Sequence, residues 1–276
     1  MSAGLRHAVL AGAGRMGSAM ARGWLSDLQA AGVGRLSVIE PSPGEDVSQA
    51  AKDGLIALNR APEVADILVL AVKPQGFAAS VEGLKAWVSK DTLVVSIMAG
   101  VPIARIAASL GTPKVARAMP NTPGAIGMGA TGYALSSACG DADGEATGRL
   151  LEPLGLVVGP LQESQMDAVT AVSGSGPAYV FLLVEALAAA GRSAGLDEPT
   201  ANALARETIV GAGALLGDLA ESPAELRKQV TSPGGTTAAA LDVLMSAGGM
   251  PDLMRKAVDA AVRRGQELAK EAEKKA

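Results

Sequence analysis

Two stretches of this chain carry residues whose types and spacing could do chemistry. One is Val230-Thr231-Ser232-Pro233-Gly234-Gly235-Thr236-Thr237. A proline followed by two glycines lets the backbone turn sharply and bare its N–H groups. Two threonines then open a helical pattern, whose first N–H groups lack internal partners and whose dipole favours an anion. Such a bend can grip a small carboxylate through backbone and hydroxyl donors. An ordinary helix start with a tight turn would look the same, so the rest of the chain has to decide. The other stretch is Gly12-Ala13-Gly14-Arg15-Met16-Gly17, a G-x-G-x-x-G. In a dinucleotide site the first glycine makes the turn, the second admits a pyrophosphate, and the third lets the helix pack on the strand.

Other chemistry is poorly provided for. The chain has one histidine, His7, and one cysteine, Cys139, far apart in sequence. That spacing argues against a thiol nucleophile paired with a base. No His, Cys, Asp or Glu cluster has metal-ligand spacing, so no metal site is expected. Reactions run by a bound organic cofactor need neither.

The elements that must position these stretches follow from periodicity. His7 to Ala11 reads as a buried strand running into the glycine turn. The helix after it has Met16, Met20, Trp24 and Leu28 at i, i+4 spacing, with Gly32 at its end. Leu36 to Ile39 is a second strand, ending at Glu40. Strand, turn, helix and a strand with a terminal acid turn a weak motif into a specific one. Asp66–Val72, Thr92–Ile97 and Lys114–Ala118 are near-continuous apolar runs, as central parallel strands should be. Ala130–Ala134, a helix from Asp143 to Leu154, and Val157-Val158 complete a sheet. Ligands of such sheets bind at the carboxyl ends of the strands. Lys73, the Ala99-Gly100 turn and Asn121 therefore face the expected site. Lys73 could equally be a solvated loop charge, and Asn121 a turn former between prolines.

Glu40 is ambiguous. An acid there takes ribose hydroxyls and repels a 2′-phosphate, favouring NAD(H). Ser42, with Arg15 and Arg60, could instead serve a phosphate.

After Gly159-Pro160, the expected domain boundary, the strand pattern stops. Gln162–Val172, Tyr179–Ala190, Glu198–Leu219, Pro223–Gln229, Thr237–Ser246 and Asp252–Lys270 read as helices. Tyr179–Ala190 is apolar all round except for Glu185, so it expects burial on most faces, with a partner subunit completing it. The fold class is thus α/β: a Rossmann-type doubly wound parallel sheet over residues 1–160, then an all-helical dimerisation and substrate-binding domain over residues 161–276. A net charge of −4 gives no reason to expect nucleic acid. The longest apolar run, Ala178–Val184, falls short of the roughly 18 residues a membrane span needs. A cytoplasmic protein acting on a small molecule, away from nucleic acid and membrane, is expected.

With these pieces in place, the chain resembles the pyrroline-5-carboxylate reductases over nearly its whole length. The resemblance rests on the glycine turn, Ala71-Val72-Lys73-Pro74-Gln75, Ala118-Met119-Pro120-Asn121-Thr122-Pro123, Ser173-Gly174-Ser175-Gly176-Pro177-Ala178-Tyr179, and Val230–Thr237 with Leu241. It implies hydride transfer from a nicotinamide cofactor to the imine carbon of 1-pyrroline-5-carboxylate, giving L-proline. It implies NADPH as cofactor, with NADH left open by Glu40, and a homodimer, five of which can form a decamer. By the same resemblance, Gly12, Gly14, Arg15, Met16 and Gly17 cradle the pyrophosphate, and Ser42 and Asn59 meet the adenosine end. Ala71, Lys73 and Pro74 lie by the nicotinamide ribose, with Met119 and Asn121 near the nicotinamide. Ser232, Gly234, Gly235, Thr236 and Thr237 hold the substrate, with Thr237 catalytic. A β-hydroxyacid dehydrogenase is the rival of similar layout. Its chemistry needs a base, commonly a lysine early in the helical domain, and Leu161–Arg227 contains no lysine. A catalytically dead relative that senses the nucleotide is the rival from another class.

Overall fold

The computed structural model describes residues 6–274, with side chains to Lys270. They divide into two compact units. One comprises the chain through Ser175 together with the segment from Ala261 onward; the other is Gly176–Ala260.

The first unit is a three-layer α/β sandwich. Its sheet runs β3-β2-β1-β4-β5-β6-β7-β8, with β1 Arg6–Ala11, β2 Val33–Ile39, β3 Ala57–Leu58, β4 Ile67–Leu70, β5 Leu93–Ser96, β6 Val115–Met119, β7 Gly129–Leu135 and β8 Gly155–Leu161. All neighbours are parallel except β6 and β7. The β1, β4 and β5 strands are apolar because both faces are covered. Alternate residues point to opposite layers. Ala8, Leu10, Val69 and Val95 join one core with α1 (Arg15–Ser26), α2 (Glu45–Lys52) and α5 (Asp141–Leu151). Val9, Leu68, Leu70 and Val94 join the other with α3 (Pro74–Lys85), α4 (Ile103–Leu110) and α6 (Met166–Val169). Met20 and Trp24 anchor α1 with no exposed surface, each worth about 1.5–3 kcal/mol in apolar burial. The Trp24 indole N–H donates to the carbonyl of Leu150 at 2.8 Å, so its polar atom is satisfied too.

The chain leaves β1 toward β2 and β3, then crosses back to place β4 on the other side of β1. That reversal opens a crevice at the carboxyl ends of β1 and β4, where this class of sheet binds its ligands. Gly159-Pro160 lies inside β8 and does not separate the units. β8 is an edge strand, where proline is tolerated. Gly159 is needed there because a Cβ would meet the Tyr133 ring at 2.5 Å.

Arg117, on β6, is only 7% exposed. It pairs with Glu163 at 3.5 Å and Asp167 at 3.6 Å. Glu163 also accepts the Ile103 N–H at 2.7 Å. This cluster ties the start of the helical run Glu163–Ser193 to the sheet. By length and composition alone that run, at mean hydropathy 1.4, could cross a membrane. The reading of no spanning segment rested on contiguous apolar residues, and a helical window also admits Gly, Ser and isolated acids.

His7, on β1, accepts from the Arg35 guanidinium through Nδ1 at 2.9 Å. Its Nε2 therefore carries the proton, facing Ser37 Oγ at 2.9 Å. Burial first, then the Arg35 charge, lowers its pKa below 6.5. The folded chain thus disfavours the protonated ring. The stability from neutral His7 is fully present above pH 6.5 and is lost as pH falls through the lowered folded value. Urea midpoints should fall between pH 7 and 5.5, and His7→Asn should flatten that slope. An equally steep slope in the variant would assign the loss to other groups.

The second unit is helical: α7 Gly176–Ser193, α8 Glu198–Asp218, α9 Pro223–Gln229, α10 Thr236–Leu244 and the first part of α11, Met250–Lys274. Ser222 and Glu225 form a capping box that starts α9 and holds the Glu225 carboxyl below its usual range, chiefly through the Ser222 hydroxyl. Small residues let α7 and α8 approach closely: a Cβ on Gly191 would touch Ala201 at 3.4 Å. Their outer faces are apolar and open. Phe181 is 61% exposed, Leu182 63%, Leu204 56% and Val210 60%. A single subunit does not cover these faces, and a patch of this kind marks an interface.

Candidate functional site

In the first unit the glycine turn sits at the crevice. Ala11 ends β1, and its carbonyl accepts the Ala71 N–H at 2.8 Å, bringing the turn beside the end of β4. Gly12 has φ +93°, and a Cβ there would strike the Ala71 carbonyl group at 2.8 Å. A Cβ on Gly17 would overlap the Gly12 carbonyl oxygen and meet Ala71 Cβ at 3.2 Å. Gly14 has nothing within 4 Å of its Cβ position and is exposed. The first and third glycines are therefore closed upon by protein, while the middle one faces open space. Gly14 is the N-cap of α1, with no side-chain cap, so the helix's first N–H groups are available to an anion. This donor set and open cradle fit a pyrophosphate. Arg15 is exposed at its rim, and Met16 packs against the core.

Glu40 follows β2. Its Oε2 accepts the Ala13 N–H at 2.7 Å and its Oε1 the Ser42 N–H at 2.9 Å. Asn59 holds its backbone in a two-point clamp. The Glu40 N–H donates to Asn59 Oδ1 and Asn59 Nδ2 to the Glu40 carbonyl, both at 2.9 Å. Asn59, expected at the cofactor, thus uses its amide on Glu40. It takes φ +49° to do so, a left-handed conformation asparagine tolerates.

Lys73 is the N-cap of α3 and Pro74 its first residue. Both are exposed, and Lys73 forms no ion pair among the described residues. Asn121 is half-buried. Its Oδ1 accepts the Ala130 N–H at 2.9 Å, and its Nδ2 donates to the Ser173 carbonyl and hydroxyl at 3.2 and 3.3 Å. Ser173 Oγ in turn donates to the Ala130 carbonyl at 2.7 Å. Asn121 therefore pins β7 to the turn Thr170–Gly174, which is π-helical, a distortion frequent at functional sites. Met119 lies over that turn: its methyl group would be 2.8 Å from a Cβ on Gly174. The spacing of this network, and the part Ser173 plays in it, were not readable from periodicity.

In the second unit the bend Val230–Thr237 leaves backbone donors open at a helix start. Gly234 takes φ +69°, and the Gly235 N–H closes a turn on the Ser232 carbonyl at 3.0 Å. Gly235 is the N-cap of α10, and no side chain caps that helix. Its leading N–H groups are left without internal partners. Ser232, Gly234 and Thr236 are exposed, and Gly235 and Thr237 half-buried. Thr231 lies just past α9, its hydroxyl donating back to the Arg227 carbonyl at 2.6 Å.

A hollow of about 640 Å³ between β7 and α5 includes Cys139 and Arg149 in its lining. Cys139 Sγ donates to the Val115 carbonyl at 3.7 Å, as a packed thiol does. No metal-binding group of three or more His, Cys, Asp or Glu occurs among the described residues.

Two family models match different parts of the chain. The family model for pyrroline-5-carboxylate reductase dimerisation matches residues 163–268. That for NADP oxidoreductase, coenzyme F420-dependent, matches residues 6–100. The chain is 40% identical to the pyrroline-5-carboxylate reductase of Pseudomonas aeruginosa, over 94% of this chain and 96% of that one. The solved structure of a pyrroline-5-carboxylate reductase from Coxiella burnetii aligns with TM-score 0.86 at 33% identity, covering 96% of this chain and 99% of the other. The Plasmodium falciparum pyrroline carboxylate reductase with NADP bound aligns at TM-score 0.75 and 27% identity, covering 96% and 98%. By motif, architecture and sequence, the chain is a member of the pyrroline-5-carboxylate reductase family.

Proposed function

We propose that this chain reduces 1-pyrroline-5-carboxylate to L-proline with a reduced nicotinamide dinucleotide, the last step of proline biosynthesis. The observation that carries the reading is the open, uncapped start of α10 behind Gly234-Gly235, in a chain that also has an open glycine cradle for a pyrophosphate. When bound, the nicotinamide supplies the hydride.

The chain's own residues do the rest. Backbone N–H groups of the bend, with the Ser232 and Thr236 hydroxyls, take the substrate carboxylate and fix which carbon is presented. Orientation of that kind supplies a large part of such a rate. The Thr237 hydroxyl donates to the imine nitrogen, drawing electron density from the carbon that accepts hydride, and solvent supplies the proton that completes the amine. Gly12, Gly14, Arg15, Met16 and Gly17 serve the pyrophosphate, and Ala71, Lys73 and Pro74 the nicotinamide ribose. Met119 and Asn121 serve the nicotinamide end, Asn121 by holding β7 and the π turn in place. Ser42 and Asn59 belong to the adenosine end, which accepts NADPH or NADH.

The apolar faces of α7 and α8, within the segment matching a dimerisation family, are buried against a second copy. The working form is a homodimer, which five-fold assembly can extend to a decamer, in the cytoplasm. Purified protein mixed with 1-pyrroline-5-carboxylate should oxidise NADH or NADPH, followed by nicotinamide absorbance, and form proline one for one. No oxidation with either nucleotide would overturn the reading.

A further inference from the structure

Glu40 follows β2 beside the glycine turn, the place where sheets of this class meet the adenosine ribose, and its surroundings bear on which nucleotide is taken. We infer that the Glu40 carboxylate selects a nucleotide with a free 2′-hydroxyl, so that NADH is preferred to NADPH. This rests on the nucleotide occupying the glycine turn, as proposed above.

Three observations converge on it. The carboxylate is tied to the turn itself, since the Ala13 N–H donor lies between Gly12 and Gly14. Its place relative to the cradle is therefore set before any ligand arrives. It is doubly anchored, through Ala13 and Ser42 on its oxygens and through the two-point Asn59 clamp on its backbone. It cannot easily swing aside to admit a phosphate. Lastly, it takes the donor a phosphate would want: the Ser42 N–H already points at Glu40 Oε1 at 2.9 Å.

An ionised carboxylate offers about four lone-pair directions, and two are used here. The remaining two suit a vicinal diol, whose hydroxyls are donors. A 2′-phosphate brings roughly −1.5 to −2 charges and only acceptors, so it meets repulsion with nothing gained. Among the described residues no cation pairs with Glu40. Arg15 and Arg60 are exposed, and either could approach a phosphate, but the carboxylate would still stand beside it. This order of preference reverses the one the family resemblance implies.

The test compares two probes that differ only in the 2′ group, adenosine 5′-monophosphate and adenosine 2′,5′-bisphosphate, by calorimetric titration. It then compares kcat/KM with NADH and NADPH. Wild type should bind the monophosphate at least about tenfold tighter and should favour NADH similarly. Glu40→Gln keeps the side chain's shape and removes its charge. It should move both ratios toward the 2′-phosphate by about tenfold. A variant whose turn had merely loosened would weaken both probes alike and leave the ratio where it was, which would overturn the assignment. Wild type preferring the 2′-phosphate would overturn it too. Those results would leave the proposed reaction standing, provided either nucleotide is oxidised. If neither probe binds and neither dinucleotide is oxidised, the nucleotide reading falls and the Glu40 assignment with it.

Discussion

Gly17→Ala is expected to weaken nucleotide binding about a hundredfold or more. The added Cβ would overlap the carbonyl oxygen of Gly12 and press on Ala71 Cβ at 3.2 Å. Backbone is the obstacle, so no rotamer change can relieve it. Either α1 withdraws from the turn or the turn shifts, and both move the N–H groups that face the pyrophosphate. Misplacement by about 1 Å can cost a factor of a hundred. Overpacking of this kind also costs about 1–3 kcal/mol of stability, which corresponds to a melting temperature lower by about 3–10 °C for a domain of this size. Calorimetric titration with NADH and a thermal melt read the two effects separately. The contrast is Gly14→Ala, where nothing lies within 4 Å of the new Cβ. Gly14 is the N-cap of α1, where alanine is a poorer residue, so the melt should fall only slightly while the nucleotide is weakened. Near-normal binding by Gly17→Ala would mean that the turn does not hold the ligand.

Thr237→Ala should lower kcat/KM for 1-pyrroline-5-carboxylate by tenfold to a hundredfold or more. Negative charge builds on the imine nitrogen as hydride reaches the carbon, and a hydrogen bond to a charged group is worth roughly 1.5–3 kcal/mol, with each 1.36 kcal/mol off the barrier tenfold in rate. The N-cap of α10 is Gly235, with no side-chain cap. Removing the Thr237 hydroxyl should therefore leave the helix start, and the melt, unchanged. Nucleotide affinity should hold as well. Thr237→Ser keeps the hydroxyl and should recover most of the rate. An unchanged kcat/KM in the alanine variant would remove Thr237 from the mechanism.

Much of this was legible before any coordinates. The glycine turn is a local signature: strand, turn and helix follow one another within some twenty residues, and each glycine has a steric reason visible in spacing. The same holds for the bend at Gly234-Gly235 and for the helices of the second half, whose apolar period is strong. Some features lay below that threshold. The β3 strand is two residues long, too short for any period. Alternation says nothing of strand direction, so the antiparallel pairing of β7 with β6 was invisible. Gly159-Pro160 read as a boundary because the strand pattern stops after it, but an edge strand has a side that donates to no neighbour and so admits a proline.

Amino-acid order alone determined the glycine turn after β1 and the bend at Gly234-Gly235, because both are built from consecutive residues whose backbone angles set the donors. Tertiary structure decided what the polar side chains touch. Glu40 reaches Ala13 across 27 positions, Asn59 reaches Glu40 across 19, and Asn121 reaches Ser173 across 52. The first two exist because β1, β2 and β3 lie side by side and parallel, so that their carboxyl ends meet, and the third because β7 lies against the π turn. No spacing rule encodes such distances, since the intervening chain can be of any length that packs.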